Sequence, residues 1–98
     1  ELAKKKGLNI YIGTLVPFKG SGSKKGYYSD EKDAIRQEIN VWIRNNEVFD
    51  GVIDFEYALA DLVNPAFQKE FLTFDHLHPN DLGYREMSKT IDLSIFSL

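Results

Sequence analysis

The stretch FDHLHPND, residues 74–81, holds both histidines of the chain, His76 and His78, together with Asp75, Pro79 and Asp81. Asp75 stands three residues before His78. In a tight turn, a carboxylate at that spacing can accept the Nδ1 proton of the imidazole. The bond fixes the ring tautomer and leaves Nε2 free to take a proton from a nucleophile, the division of labour of a serine triad. Pro79 restricts His78 to extended backbone and keeps the next helix from starting early.

Two other readings compete for the same residues. Asp75, His76, His78 and Asp81 are all metal-ligand types, and a His-x-His pair with flanking carboxylates can hold zinc. In an extended segment, however, alternate residues share a face and Asp75 points away, which is poor spacing for four ligands. The plainer reading makes Asn80 or Asp81 the N-cap of a following helix and leaves the histidines on the surface.

The elements around this loop must position it. LNIYIGTLV, residues 8–16, is β-branched, aromatic and almost continuously apolar up to Pro17, the pattern of an interior strand. A Gly/Ser/Lys-rich loop follows, and then a helix is expected over about residues 31–46, capped by Ser29 or Asp30. Its Ile35, Ile39, Trp42 and Ile43 share one stripe, expected to face the core. Asp50-Gly51 turns the chain into a second strand, GVIDF, residues 51–55. Strand, helix and strand in that order imply parallel pairing with a right-handed crossover. Helical segments are expected at 56–62 and 65–72, and a last helix at 82–96 with Tyr84, Met87, Ile91 and Ile95 inward.

A chain of 98 residues, 43% hydrophobic and 13% aromatic, can bury a core. Its net charge of −3 carries no basic footprint for nucleic acid. No apolar run reaches the ~18 residues of a membrane span. The absence of cysteine excludes disulfides and thiol catalysis. The opening ELAKKKG reads as the end of a helix with Gly7 as its stop, so a processed or truncated chain is expected. Two parallel strands are also fewer than a complete α/β sheet.

Asp-x-x-His-Pro followed by Asn and a Gly-Tyr helix opening resembles the last conserved block of the SGNH (GDSL-type) hydrolases. GTLVPFKG resembles the strand and loop before that family's long helix. EINVWIRNNEVFDGVIDFEYALAD resembles the run from that helix through its last strand. The resemblance covers nearly all of residues 1–98, in family order. It implies a three-layer α/β/α, flavodoxin-like sandwich, of which this chain supplies the last two parallel strands and the last helices. It also implies that Asp75 orients the imidazole, that His78 is general base and then general acid, and that no cofactor or metal is needed. DHLHPNDLGY looks closest to bacterial extracellular esterases and carbohydrate deacetylases. That likeness implies a small-molecule or carbohydrate ester as substrate and an extracellular or periplasmic setting. The chain departs from the family in lacking the Gly-Asp-Ser nucleophile block and the Gly and Asn of the oxyanion hole. The expectations are therefore an inactive isolated chain, and either self-association through strand 8–16 or pairing with an N-terminal half. A non-catalytic assembly module that pairs through that strand is the alternative.

Overall fold

A computed structural model describes residues 6–21 and 26–96. The helical remnant expected at the start of the chain falls largely outside these residues. β1 (Tyr11–Gly13) and β2 (Gly51–Ile53) pair in parallel, with Ile12 opposite Val52, and form a two-stranded sheet. The crossover between them is α1 (Asp30–Asn45). β1 is shorter than the sequence suggests because a side chain from α1 intervenes. Thr14 N–H still donates to Ile53 O (3.0 Å), but one residue later the Leu15 amide is taken by a side chain. Asn40 Oδ1 accepts Leu15 N–H at 2.7 Å, and Asn40 Nδ2 donates to Leu15 O at 2.8 Å. A carboxamide thus replaces the next rung of the ladder.

α1 is capped by Ser29, whose Oγ accepts Lys32 N–H at 3.1 Å, and its first turn carries Asp30, Glu31 and Asp33. Its roll reverses the expectation from hydrophobic periodicity. Asp33, Arg36 and Asn40 are buried, whereas Ile35, Ile39 and Trp42 stand 56%, 40% and 57% exposed; of the expected stripe only Ile43 is buried. Trp42, expected in the core, touches only the edge of Phe49 (6.3 Å between centroids) among ring contacts of the described residues. The physical cause is polar. Arg36 bonds Asp33 (2.8 Å) and Leu15 O (3.2 Å) and pairs with Glu56, which Arg44 holds from the other side at 2.7 Å. Burial alone would lower the Arg36 pKa, but Asp33 and Glu56 raise it above its ordinary value, so the guanidinium stays charged. This network fixes which face of α1 meets the strand ends.

α2 (Phe55–Leu59) starts at Asp54, whose Oδ1 caps Tyr57 N–H and also accepts the Thr14 hydroxyl at 3.0 Å. It ends at the turn built by Asp61, earlier than the sequence suggests. The expected helical stretch 65–72 shrinks to a 3-10 turn, Glu70–Leu72. α3 (Asp81–Lys89) is capped by Asn80, whose Oδ1 accepts Gly83 N–H at 2.9 Å. The single helix expected to residue 96 breaks at Thr90, where the hydroxyl turns back to Met87 O (2.6 Å). Asp92 then opens a separate 3-10 turn, Leu93–Phe96. The apolar centre is small: Ala58, Leu59 and Leu72, with Val16 and Met87 packed on it. Its Leu72 leads into the 73–79 loop, and the Leu72 carbonyl accepts Asn80 N–H at 2.8 Å on the loop's far side. None of the helices among the described residues is long and apolar enough to cross a membrane.

Candidate functional site: an aspartate–histidine pair

Thr73 and Pro79 form an antiparallel bridge that closes residues 74–78 into a loop. Asp75 builds that loop from within. Its Oδ1 accepts Leu77 N–H (3.0 Å) and His78 N–H (2.7 Å), while its Oδ2 lies 2.8 Å from His78 Nδ1. One carboxylate therefore folds the turn with one oxygen and orients the imidazole with the other. The His78 ring hydrogen bond, followed by the two amides, holds the Asp75 carboxyl well below the usual carboxylate range. Asp75 is ionised at neutral pH and selects the Nδ1–H form of a neutral His78. The His78 side chain is 71% exposed, and no group among the described residues hydrogen-bonds its Nε2.

The peptides on either side of His78 are also held. Gln68 Nε2 donates to Leu77 O (2.8 Å), and the Thr73 hydroxyl donates to His78 O (2.7 Å). Asn80 caps α3 immediately afterwards, as its type and place suggest. Gly83, in the first turn of α3, lies so close to the loop that a Cβ there would sit 2.7 Å from Pro79 Cβ.

The remaining sequence candidates are placed differently. His76 adopts a left-handed φ of 61°, a conformation that favours glycine, and turns its half-buried ring edge-on to Phe67. Its buried Nδ1 has no hydrogen-bond partner. The ring lines a cavity of about 330 Å³ with Asp61, Asn64, Phe67, Gln68 and Glu70. Asp81 sits in the first turn of α3. No group of three His, Asp or Glu side chains among the described residues is placed to hold a metal, so the four-ligand arrangement is not formed. Among the described residues no serine hydroxyl hydrogen-bonds His78: the Ser29 hydroxyl caps α1 and the Ser88 hydroxyl donates to Arg85 O.

Leu77, between the two histidines, lines an apolar groove of about 370 Å³ with Leu15, Val16, Phe18, Ile35 and Ile39. A further cavity of about 420 Å³ lies between α1 and α2, beside Arg36, Arg44 and Glu56. The clamps made by Gln68 and Thr73 have no signal in residue spacing, because both act through backbone carbonyls that any residue supplies. No protein-family model and no curated protein matches this chain.

Proposed function

We propose that this chain is the C-terminal part of an SGNH-type serine ester hydrolase and carries two members of its triad, Asp75 and His78. The observation that supports the reading best is the 2.8 Å contact of Asp75 Oδ2 with His78 Nδ1 on an exposed side chain whose other ring nitrogen has no hydrogen-bond partner among the described residues. Two parallel strands joined through a long helix, followed by the Asp-x-x-His-Pro loop and a capped helix, agree with the family order that the sequence resembles. Parallel α/β proteins place their sites beyond the carboxyl ends of the strands.

In this reading a serine from outside the chain presents its hydroxyl to His78 Nε2. His78 accepts the proton as the serine oxygen attacks the ester carbonyl, and the ionised Asp75 stabilises the imidazolium. His78 then returns the proton to the departing alcohol, leaving an acyl-enzyme. Water activated by the same nitrogen releases the acid and restores the serine. In this reading the oxyanion hole, the largest electrostatic contribution, comes from the same outside segment.

The test uses the product of the complete encoding gene. A fluorophosphonate probe should label one serine, and p-nitrophenyl acetate should be hydrolysed. His78→Ala should lower that rate by roughly 10³-fold or more, with His76→Ala within a few-fold. Absence of a labelled serine, or a larger loss for His76→Ala than for His78→Ala, rejects the reading. The competing assembly-module reading, in which strand 8–16 pairs with another chain, draws on β1 having β2 as its one partner among the described residues. A start codon near Glu1, with no Gly-Asp-Ser block upstream, would favour it.

A further inference from the structure

The Leu77–His78 peptide is held from both sides. Its N–H, on His78, donates to Asp75 Oδ1 at 2.7 Å, and its oxygen, on Leu77, accepts Gln68 Nε2 at 2.8 Å. The second Gln68 Nε2 proton goes to Pro17 O at 2.9 Å, in the segment that follows β1. Gln68 is 2% exposed and anchored by its own backbone, which bridges Ala60 at the end of α2. The carboxamide orientation is forced, because both acceptors are carbonyl oxygens and only an NH₂ group can serve them. That orientation leaves Gln68 Oε1 buried without a partner. A buried unmade bond is unfavourable, so the two bonds made by Nε2 must outweigh it.

We propose that Gln68 is a positioning residue for His78: it fixes the Leu77–His78 peptide plane and so keeps the imidazole in register with Asp75. The proposal rests on the hydrolase reading for its catalytic meaning but not for its geometry. If the plane rotates, His78 N–H leaves Asp75 Oδ1. The same carboxylate then loses its hold on the turn, and its Oδ2 no longer faces Nδ1. Pro17 O ties this plane to the strand end, so the histidine is placed relative to the sheet and not merely relative to its own loop. Thr73 alone cannot do this, since its hydroxyl holds only the following carbonyl.

Gln68→Met keeps the length and apolar volume and removes both donors. In ¹⁵N NMR of the 98-residue chain, the neutral His78 ring should be dominated by the Nδ1–H tautomer in the unaltered protein and should shift towards a mixture in Gln68→Met. In the intact hydrolase the same change should lower kcat by about 10- to 100-fold, the usual effect of a misplacement near 1 Å, with KM within about twofold. A tautomer population unchanged by Gln68→Met overturns the proposal, whatever the enzyme does. A shifted tautomer in a protein that hydrolyses no ester would support positioning while rejecting the hydrolase reading. Should Gln68→Met fail to fold, the unaltered chain still decides. Its two Gln68 Nε2 protons must exchange slowly with solvent, and fast exchange of both would overturn the proposal.

Discussion

Asn40 offers the sharpest test of the claim that polar contacts, and not apolar area, set the roll of α1. It is completely buried, and both ends of its carboxamide engage the Leu15 backbone, at 2.7 and 2.8 Å. Asn40→Ala deletes two hydrogen bonds, each with a net value of about 0.5–1.5 kcal/mol. Leu15 O keeps a weaker donor in Arg36 Nη1 at 3.2 Å, whereas Leu15 N–H loses its acceptor. Leu15 is 43% exposed, so water can reach part of that amide and moderate the loss. The expected destabilisation is about 2 kcal/mol, within a range of about 1–3. For a domain of this size, at roughly 4–8 °C per kcal/mol, the unfolding midpoint should fall by about 8–16 °C.

The assay is urea and thermal unfolding followed by circular dichroism. Asn40→Leu supplies the control, since leucine approximates the branched shape of asparagine but has no polar atom. If the hydrogen bonds decide, Asn40→Leu is at least as damaging as Asn40→Ala. A loss below about 0.5 kcal/mol for Asn40→Ala, or a gain in stability for Asn40→Leu, would refute the reasoning, because hydrophobic burial would then outweigh the polar clamp.

Gly83→Ala should destabilise the chain by about 1–3 kcal/mol, because the new methyl meets Leu72 O and Pro79 Cβ inside van der Waals contact; an unchanged urea midpoint would show that α3 is free to shift. The Asp75 carboxyl is held below its ordinary pKa by His78 and two amides. Asp54 is too: burial would raise it, but Arg44, Tyr57 N–H and Thr14 outweigh that. Their contribution is therefore complete well above the unfolded-state value near 3.9, begins to fade below about pH 5 and is fully lost only once pH has fallen through the lowered folded-state values, so the urea midpoint should drop below about pH 5, continue to drop past about pH 3 and should not rise. Finally, Ile35, Ile39 and Trp42 are open to water, and β1 pairs on one side only among the described residues, so the isolated chain should self-associate. Light scattering should give a mass that rises with concentration and falls back in Ile39→Glu; a clean monomer at high micromolar concentration would refute this.

What the sequence revealed was local. Ser29 and Asn80 are caps because their side chains reach backbone amides three residues on, and the Asp75–His78 bond spans the same short distance. The parallel pairing of β1 and β2 followed from the order of elements alone. The early ends of α2 and α3 were set by side chains two or three residues away, at Asp61, Thr90 and Asp92, but the larger failures were decided at long range. The stripe Ile35, Ile39 and Trp42 was assigned to the core by periodicity, yet periodicity reports only that a helix has two faces. Which face turns inward depended on Asn40 meeting Leu15, 25 residues away, and on Arg36 meeting Glu56, 20 residues away. Strand 8–16 shortened for the same reason. Gln68 reaches Pro17 across 51 residues, and no spacing rule could have marked it.

This difference in range separates two parts of the molecule. Within the loop, the Asp75–His78 geometry draws on Asp75 itself, Thr73, the bridge to Pro79 and the Gln68 bond to Leu77 O, contacts made among residues 68–79. They do not require a complete sheet, so the pair can be set in the isolated chain even where the surrounding core is small. The placement of that pair relative to the strand ends is another matter. It passes through Gln68 to Pro17, from there along the chain to Leu15, and from Leu15 to Asn40 and Arg36 on α1. Apart from the covalent step from Pro17 to Leu15, every link in that path is a hydrogen bond to a main-chain carbonyl or amide. Asn40→Ala should lower stability and leave the Asp75–His78 bond in place, whereas Gln68→Met should loosen that bond. An Asn40→Ala protein whose His78 tautomer population also shifted would show that the loop and the sheet are not separable.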